Sequence, residues 1–590
     1  STPHNHSPKT TFAPGNAAII FLSLQLSRVK KTPEENTRFD NVLILDNNCG
    51  GFEEASKPVQ KKENTKMGVQ EPGTYTQVVD WQEETDVVVV GFGGAGAVAA
   101  ISAKDAGAEV IILEKQSLVK HTPSTMMSGG GLHVANDIKE AAKYYKAIAF
   151  GIGLPDGCGD PPHVYPLYPE PLVDELTQSW AEGVVETRKF LTSLGDISIK
   201  EAIPRPAFPS FPGAQSYGVI SVEGGGIALF NLMAKAVKNR GIKVLWEHPG
   251  KTLIFNARRE VIGVTSQRGN KIINIKAKKA IVLCTGGFEC DEELKRAFLP
   301  GWGWTFIGNP GNTGDGLRMA MEAGAKLTHM FRCAARVTAG GLIADAIGTG
   351  FNCRISEPGR IMVDNYGKRY CNELLASRDP DRYQFYKQVI MYDTSRLEYP
   401  RIPSWLIFDE QVREKGPVVL TFYGAHAVGI YKWSQDNNAE IERGWILKGS
   451  SIGEWAKKIA AHRDNYGRMN AATLTGAIRR FNKLCKDGID LDFGRPKDFL
   501  EPLVKPPYYA IAEYPGGPNT EGGLIKNARS QVINIFGKPI PRLYAAGEVA
   551  SAWNFLYQAG GNLAECVICG RIAGKNATLE KPWTFGKNDG

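Results

Sequence analysis

The chain has 590 residues, of which 43% are hydrophobic and 22% charged, and its formal net charge is +8. These proportions are typical of a soluble enzyme with more than one domain, in the cytoplasm or the periplasm. No basic stripe with interleaved aromatic residues occurs, which argues against nucleic-acid binding. No apolar run is long enough to cross a bilayer, and the scattered cysteines argue against a disulfide scaffold or a metal site.

Residues 1–84 come first and show no clear periodic pattern. They are rich in Asn, Lys, Pro and Glu. We therefore predict an N-terminal extension, for which the sequence indicates no role.

A dinucleotide-binding unit is predicted for residues 86–115. Residues 87–90 are all valine, which is typical of a buried parallel strand, and residues 110–113 form a second apolar strand after a helix of small residues. The spacing G-x-G-x-x-G lets the backbone approach a pyrophosphate, and an acid at the end of the second strand accepts hydrogen bonds from the ribose. The predicted cofactor-binding residues here are Gly91, Gly93, Gly94, Ala95, Gly96, Glu114 and Lys115.

The following segment, residues 121–135, is rich in glycine and small hydroxyl residues. Such a loop allows backbone amides to approach a phosphate or a ring, and its candidate residues are Ser124, Thr125, Ser128, Gly129 and Gly130. Helices are predicted for residues 175–193 and 227–239. Residues 244–246, 252–256, 261–267 and 271–276 are predicted to form a small antiparallel meander, and 280–283 a separate strand.

Three later motifs carry a family resemblance. They are Thr-Gly-Gly-Phe at residues 285–288, Asn-Thr-Gly-Asp-Gly at 312–316 and Tyr-Ala-Ala-Gly-Glu at 544–548. Together with the first motif they resemble the flavoproteins of fumarate reductase and succinate dehydrogenase, a family that includes urocanate reductase and the 3-ketosteroid dehydrogenases. The resemblance covers roughly residues 84–580. It implies an α/β fold: a Rossmann-like FAD-binding domain in two sequence parts, 85–334 and 506–590, with an inserted α+β capping domain at 335–505.

FAD is the predicted cofactor, since a single dinucleotide fingerprint leaves no separate NAD(P) domain. The later candidate cofactor-binding residues are Thr285, Gly286, Asp315, Gly547, Glu548, Gly561, Asn562 and Leu563. The last three open a helix whose N-terminus could stabilise negative charge on the reduced flavin. His121-Thr122 resembles the His-Thr of membrane-bound relatives, in which the histidine carries the flavin, but its register differs by about two residues. Non-covalent FAD is therefore favoured, and a covalent link at His121 is the alternative.

The catalytic predictions also depend on the resemblance. Residues 367–379, GKRYCNELLASRD, resemble a stretch of soluble fumarate reductases and put Arg378 in the place of their proton-donating arginine. Asn519 and Gln558 stand near the places where fumarate-type members carry a histidine and an arginine. Because neutral amides cannot provide charge-assisted bonds, a C4 dicarboxylate is not the expected substrate.

Tyr557 resembles a tyrosine of the ketosteroid dehydrogenases, and Trp553 and Phe555 nearby would make an aromatic pocket wall. We therefore predict an FAD-dependent oxidoreductase that acts on a carbon–carbon bond next to a ketone or a single carboxylate. Arg378 would donate the proton, and Tyr557 or Gln558 would bind the activating oxygen. The alternatives are a 3-ketosteroid-type dehydrogenase and an electron-relaying flavoprotein subunit. Expected partners are a small-molecule substrate, an external electron donor or acceptor, and other subunits of a homo-oligomer or complex.

Overall fold

The structure is a computed structural model that describes residues 79–155, 168–200, 206–340, 349–378, 381–421 and 430–583. All of them belong to one compact unit, Pro72–Gly590. Most of the predicted N-terminal extension, residues 1–84, lies outside the described residues, as does Asp379 of the Arg378 motif.

The strands are β1 Glu83–Val90, β2 Val110–Glu114, β3 Gly131–Ala135, β4 Ile199–Lys200, β5 Tyr217–Val222, β6 Lys243–Trp246, β7 Gly250–Phe255, β8 Val261–Arg268, β9 Lys271–Leu283, β10 Thr305–Phe306, β11 Leu327–Thr328, β12 Cys333–Ala339, β13 Arg360–Val363, β14 Ser404–Asp409, β15 Leu447–Gly449, β16 Tyr508–Thr520, β17 Gly523–Leu524, β18 Gln531–Ile533 and β19 Pro539–Ala545. The α-helices are α1 Gly94–Asp105, α2 Ile138–Phe150, α3 Glu170–Val185, α4 Thr187–Ser193, α5 Gly225–Asn239, α6 Glu292–Phe298, α7 Asp315–Glu322, α8 Tyr386–Val389, α9 Glu410–Arg413, α10 Asn438–Glu442, α11 Ile452–Ala460, α12 Ala471–Asp487 and α13 Gly561–Leu579.

The largest sheet has the strand order β18–β19–β9–β1–β2–β6. The neighbours from β19 to β6 are parallel, and β18 joins β19 antiparallel. The valines of β1 are buried on both faces, which explains their unbroken apolar run. The predicted Rossmann-like α/β fold is confirmed.

The predicted meander is wrong in its first strand. β6 pairs parallel with β2, so it belongs to the main sheet, whereas β7 and β8 form an antiparallel extension along β9. The two strands predicted at 271–276 and 280–283 are one strand, β9. Its polar middle is not a break, because Lys276 and Lys278 form cross-strand ion pairs with Glu84 and Asp86 at 2.8 and 3.3 Å.

The predicted helix at residues 175–193 is also divided. It is two helices, α3 ending at Val185 and α4 beginning at Thr187. The helix predicted at residues 227–239 is present and begins earlier, at Gly225.

The first and last helices, α1 and α13, pack against each other. A side chain at Gly574 would place its Cβ 2.2 Å from the carbonyl oxygen of Ala99, and one at Gly570 would lie 2.9 Å from that of Ala95. Glycine at these two positions therefore permits the close approach of the helices. The contact brings the N-terminal end of α13 to the glycine turn before α1.

Two further sheets complete the site. In the second sheet β10, β12, β14 and β15 all pair with the long strand β16, which ends at Asn519 and Thr520. In the third, β3–β5–β4, Leu132 and Ile220 face the core of the main sheet, whereas His133 and Tyr217 face the other side. The sequence boundaries of the capping domain stay a prediction. Among the helices described, none has the length and apolar character needed to cross a membrane.

Candidate active site

A cleft with an empty volume of about 780 Å³ lies at the carboxyl ends of the main parallel strands. Open α/β sheets bind ligands at this edge, because loops diverge there on both sides of the central strand. Many of the predicted cofactor residues line the cleft: Gly91, Gly93, Gly94, Ala95, Glu114, Lys115, Ser124, Thr125, Thr285, Gly286, Asp315 and Glu548.

The glycine turn after β1 allows a close backbone approach. Gly91 has φ +101°, and a Cβ there would lie 2.3 Å from the carbonyl oxygen of Cys284. A Cβ at Gly96 would lie 1.9 Å from the carbonyl oxygen of Gly91. Gly93 gives α1 no side-chain cap, and the first amide of the helix, at Gly94, donates to Thr125 Oγ1 at 2.9 Å, which leaves the next amides of the first turn for a ligand. These features fit the pyrophosphate of FAD.

Glu114 ends β2 and is held by the backbone. One carboxylate oxygen accepts from the N–H of Phe92 at 2.9 Å and the other from that of Gln116 at 2.8 Å. Burial acts to raise the pKa of Glu114, but His121 and these N–H groups outweigh it and lower the pKa. The carboxylate is therefore charged and fixed at the predicted ribose position.

His121, the candidate for covalent attachment, lies at this same end of the cleft. Its Nε2 is 3.6 Å from Glu114, and its ring stacks on Phe92 with centroids 5.5 Å apart. The histidine is thus enclosed beside the predicted ribose position.

The motif at residues 312–316 reaches the cleft through Lys115. The Lys115 Nζ donates to Thr313 Oγ1 at 2.8 Å and to Asp315 Oδ2 at 2.7 Å. The start of α7 is therefore joined to the end of β2, although the two segments are far apart in sequence.

Two buried carboxyls, Glu289 and Glu548, face each other farther along the cleft. Burial raises the pKa of both, and the charge of Glu289 raises that of Glu548 further. Since two like charges are unfavourable there, Glu548 holds a proton. Its Oε1 accepts from the N–H and the hydroxyl of Thr520 at 3.2 and 2.9 Å. Glu289 was not among the predicted residues.

The other predicted cofactor residues surround this cleft without lining it: Gly96, Ser128, Gly129, Gly130, Gly547, Gly561, Asn562 and Leu563. The Ser128 hydroxyl fixes its loop, donating to the Thr125 carbonyl at 2.7 Å and accepting from the Gly130 N–H at 3.3 Å. Gly561, Asn562 and Leu563 open α13, as predicted. Their contacts with the cofactor stay predictions.

The predicted substrate residues meet where β16 ends beside α13. Asn519 Oδ1 accepts from Asn562 Nδ2 at 2.5 Å, and Asn519 Nδ2 donates to the Thr520 carbonyl at 2.7 Å. Gln558 is buried, and its Oε1 accepts from the Tyr144 hydroxyl at 2.6 Å and from the Ala207 N–H at 3.0 Å. Asn519 is therefore engaged at both amide atoms, whereas Gln558 Nε2 is buried and has no hydrogen-bond partner among the residues that the structure describes.

Tyr557 lies in an aromatic cluster with Tyr383 and Trp553, and a pocket wall made with Phe555 stays a prediction. Its ring is 4.7 Å from that of Tyr383 and 5.7 Å from that of Trp553, both edge to face. Burial, with Tyr383 and Glu521 nearby, raises the pKa of Tyr557 well above its ordinary value. The phenol therefore keeps its proton at neutral pH.

Two residues beside Tyr557 were missed by the sequence reasoning. Arg336, on β12, donates from Nη2 to the Tyr383 hydroxyl at 2.9 Å, and its guanidinium lies over the Tyr383 ring at 4.7 Å. Neither residue lies in a motif, and only the pairing of β12 with β16 brings Arg336 here.

Arg378 is exposed, and its carbonyl accepts from the Arg382 N–H at 2.8 Å. The desolvation that an acidic arginine requires is not supplied at an exposed position. Its role as proton donor stays a prediction. Within the ranges described, His, Cys, Asp and Glu side chains form no group of three or more that could hold a metal ion.

The comparisons with known proteins agree with this geometry. A sequence model of the FAD binding domain matches residues 86–563. A "Probable fumarate reductase Ifc3" of Shewanella frigidimarina is 28% identical over 84% of this chain and 75% of that protein. The "4-oxocyclohexanecarboxylate 2-dehydrogenase" of Sinomonas cyclohexanicum is 26% identical over 83% of this chain and 92% of that protein.

Among solved structures, the 3-ketosteroid Δ1-dehydrogenase of Sterolibacterium denitrificans has a TM-score of 0.66 at 20% identity. The match covers 84% of this chain and 100% of that chain, and at this identity it shows the fold alone. Together the comparisons confirm the predicted family resemblance, FAD as the cofactor, and a flavin-dependent oxidoreductase acting on CH–CH groups as the enzyme class.

Proposed function

The chain belongs to the FAD binding domain family, and on that premise we propose that its substrate has a carbon–carbon bond activated by a ketone or a single carboxylate. Bound FAD supplies the hydride donor or acceptor in such a reaction. The chain's own residues bind the activating oxygen, hold a proton near the reacting carbons and exclude water. Electrons come from, or go to, an external partner.

The observation that carries the proposal is the buried, protonated Tyr557 in the loop that opens α13. A tyrosine hydroxyl is protonated at neutral pH, and burial raises the pKa of Tyr557 further, so this hydroxyl remains a hydrogen-bond donor. A fixed phenol donor suits an oxygen that gains negative charge during reaction, such as that of an enone. Gln558 is a second candidate: Tyr144 and Ala207 fix its carbonyl oxygen, and its buried Nε2 has no hydrogen-bond partner among the described residues.

A substrate with one charge suits the polar groups around Tyr557 better than a dicarboxylate does. Asn519 and Gln558 are neutral amides with internal partners. Arg336 is a cation that could pair with one carboxylate, in addition to its contact with Tyr383. One relative's name, 4-oxocyclohexanecarboxylate 2-dehydrogenase, denotes a substrate with both a ketone and a carboxylate, which supports this class.

Two residues compete for the proton-donating role. Arg378 is the candidate from the sequence, and Tyr383 is the candidate from the geometry, because it contacts both Arg336 and Tyr557. Loss of enone turnover in Arg378→Ala with full activity in Tyr383→Phe would support Arg378. The opposite pattern would assign the proton to Tyr383.

The substrate class is tested by anaerobic turnover with reduced viologen as the electron donor. Cyclohex-2-enone and 4-oxocyclohex-2-enecarboxylate are expected to oxidise the dye, and fumarate is expected to react at least about 100-fold more slowly. Turnover by the purified chain alone would also count against an electron-relaying subunit. Equal rates with fumarate would refute the proposed substrate class.

The role of Tyr557 is tested by Tyr557→Phe, which keeps the ring and removes the donor. We expect kcat with the enone to fall about 100-fold or more while the protein still binds FAD. Tyr466→Phe, at a tyrosine that is 68% exposed, is the matched control. An unchanged kcat in Tyr557→Phe would exclude Tyr557 as the group that binds the activating oxygen.

A ketosteroid-type dehydrogenase is the second candidate, and the contact of Tyr383 with Tyr557 favours it. This activity runs in the opposite direction, and the protonated Tyr557, beside Tyr383, would polarise the ketone. Oxidation of a saturated 3-ketosteroid with an artificial acceptor, faster than reduction of any enone, would establish this second candidate over the first.

We also propose that FAD is bound non-covalently. His121 is enclosed by Phe92 and Glu114 at the predicted ribose position, whereas covalent links form at the opposite, ring end of the cofactor. Acid precipitation is therefore expected to release all the FAD into the supernatant. A yellow pellet, lost in His121→Ala, would instead show the covalent link.

A further inference from the structure

A chain of hydrogen bonds runs through the buried face of the third sheet to the loop that carries Tyr557. Trp180 Nε1 donates to the Tyr217 hydroxyl at 2.9 Å, this hydroxyl lies 2.9 Å from His133 Nδ1, and His133 Nε2 lies 3.0 Å from the Ala559 carbonyl. The three side chains are almost fully buried. Ala559 immediately precedes Gly560, the N-cap residue of α13.

The direction of this chain is fixed by the carbonyl end and by the charge state of His133. A carbonyl oxygen can only accept, so the single proton of a neutral imidazole must be on Nε2 to reach Ala559. Nδ1 is then an acceptor, so the Tyr217 hydroxyl donates to it. Burial lowers the pKa of His133 to about 3, so the ring is neutral at physiological pH.

The strand register explains why these residues meet. His133 of β3 is paired with Val219 of β5, and Tyr217 is two positions away from Val219. Residues two apart on a strand share a face, so His133 and Tyr217 are diagonal neighbours. Trp180 of α3 covers this face, and the ring of Trp553 lies 5.5 Å from that of His133.

The loop before α13 is anchored on both sides of Tyr557. Before it, the N–H groups of Phe555 and Leu556 donate to the carbonyls of Ala149 and Ile148 at 2.9 and 2.8 Å. After it, Tyr144 holds Gln558 at 2.6 Å and His133 holds Ala559 at 3.0 Å.

We propose that His133 is a positioning residue, which orients the peptide group between Ala559 and Gly560 and thereby presents Tyr557 and the Gly560 N–H at the start of α13. The carbonyl and N–H of a trans peptide point in opposite directions, so a carbonyl held by His133 turns the Gly560 N–H away from β3. A hydrogen bond to a carbonyl also strengthens the N–H of the same peptide group as a donor. His133 thus acts on the cofactor environment without contacting substrate.

The part of this inference that concerns Tyr557 rests on the proposed function, whereas the part that concerns the peptide group does not. The tests therefore use readouts that need no substrate. The first is ¹⁵N NMR of the holoprotein labelled at histidine. The signal that His133→Gln removes should be that of a neutral ring with its proton on Nε2, unchanged between pH 5 and pH 8. A charged ring, or a proton on Nδ1, would refute the hydrogen-bond chain.

The second test is the midpoint potential of the bound flavin. His133→Phe should shift this potential to a more negative value, because the Gly560 N–H at the start of α13 then stabilises the reduced anion less well. His133→Gln keeps a donor for the Ala559 carbonyl and should restore most of the shift. Tyr217→Phe, which removes only the hydroxyl, should give an intermediate value. His462→Phe, at a histidine packed on Trp405 in the second sheet, should leave the potential unchanged.

The order of the midpoint potentials tests the inference. If His133→Phe fails to fold, His133→Gln and Tyr217→Phe still test it. Equal potentials in wild type, His133→Gln and Tyr217→Phe would refute it. With an enone, kcat of His133→Phe should fall about 10-fold while KM changes little, since positioning acts on the transition state. If no enone is turned over but the potentials follow the expected order, the proposed function fails and the role of His133 in the flavin environment stands.

Discussion

The main parallel sheet and the second sheet hold their buried glutamates in different ways. Glu114, at the end of β2, receives one backbone N–H at each carboxylate oxygen, and its pKa is lowered although it is buried. Glu513, in the middle of β16, is fully buried, and neither of its carboxyl oxygens has a hydrogen-bond partner among the residues that the structure describes.

The pKa of Glu513 is accordingly raised to about 8 by burial, and the Cys353 thiol beside it lowers it only weakly. A thiol is a poor hydrogen-bond donor, so it does little to stabilise a carboxylate. Glu513 is therefore a neutral acid over most of the pH range in which Glu114 is an anion.

The difference shows which local features keep a buried carboxylate ionised in this protein. At Glu114 the glycine turn and the strand end supply N–H groups within a few residues of each other, so the local motif itself stabilises the anion. At Glu513 the neighbours come from β12 and β14, whose backbone groups are used in pairing. In the main sheet the local motif thus stabilises the ionised carboxylate of Glu114, whereas in the second sheet burial keeps the carboxyl group of Glu513 neutral.

The largest expected effect comes from breaking the motif itself. Gly96→Ala would place a Cβ 1.9 Å from the Gly91 carbonyl oxygen, a backbone atom that cannot move aside without displacing the turn. We expect complete loss of FAD, measured as the ratio of flavin to protein absorbance, and a lower melting temperature. Gly476→Ala in α12 is the matched control, because its Cβ meets no atom within 4 Å. The control should bind FAD normally and gain up to about 1 kcal/mol of stability. Retention of FAD by Gly96→Ala would contradict the close packing of α1 on the turn.

The contrast also explains which features could be predicted from the sequence. The β1 strand, the glycines and Glu114 lie within about thirty residues, and each has a local physical signature. The polar middle of β9 suggested a break, because the partners of its lysines, Glu84 and Asp86, lie on another strand. β6 was assigned to the meander because a short apolar strand does not itself indicate its partner.

The substrate side could be predicted only in part. Tyr557, Asn519 and Asn562 lie near glycine pairs in the sequence, and Asn519 and Asn562 are hydrogen-bonded to each other in the structure, but their roles stay predictions. Arg336, Tyr383 and His133 have no motif and are placed by pairing between distant strands. Residues whose role depends on such long-range contacts cannot be identified from local patterns.

The second prediction tests whether the buried carboxyl group of Glu513 is neutral. The ordinary pKa of a glutamate is 4.5 and that of Glu513 is raised to about 8, so between these values the folded chain binds the additional proton. Stability from this group is therefore fully present below pH 4.5 and is lost as the pH rises through 8, by about 5 kcal/mol. Glu513→Gln cannot ionise, so its loss of unfolding free energy between pH 5 and pH 8 should be smaller than that of wild type.

Urea unfolding at both pH values measures this difference for Glu513→Gln. Glu322→Gln, on the exposed side of α7, should keep the slope of wild type. Identical pH slopes in Glu513→Gln and wild type would mean that Glu513 is charged at neutral pH, and the contrast between the sheets would be lost.

The smallest effect is expected from Glu114→Gln, which removes the carboxylate that the motif stabilises. A glutamine can accept from only one of the two N–H groups of Phe92 and Gln116, and its own amide N–H would face the other, leaving two donors opposed. The turn should adjust with a net loss of one hydrogen bond to a charged group, so the Kd for FAD should rise about 10-fold, or about 1.4 kcal/mol. Fluorescence titration of the apoprotein with FAD measures this value. Glu109→Gln, one residue before β2 and with its side chain 72% exposed, should bind FAD like wild type. If Glu114→Gln binds FAD with unchanged affinity, the backbone turn alone holds the adenosine end. The carboxylate would then be a consequence of the motif and not a contributor to binding.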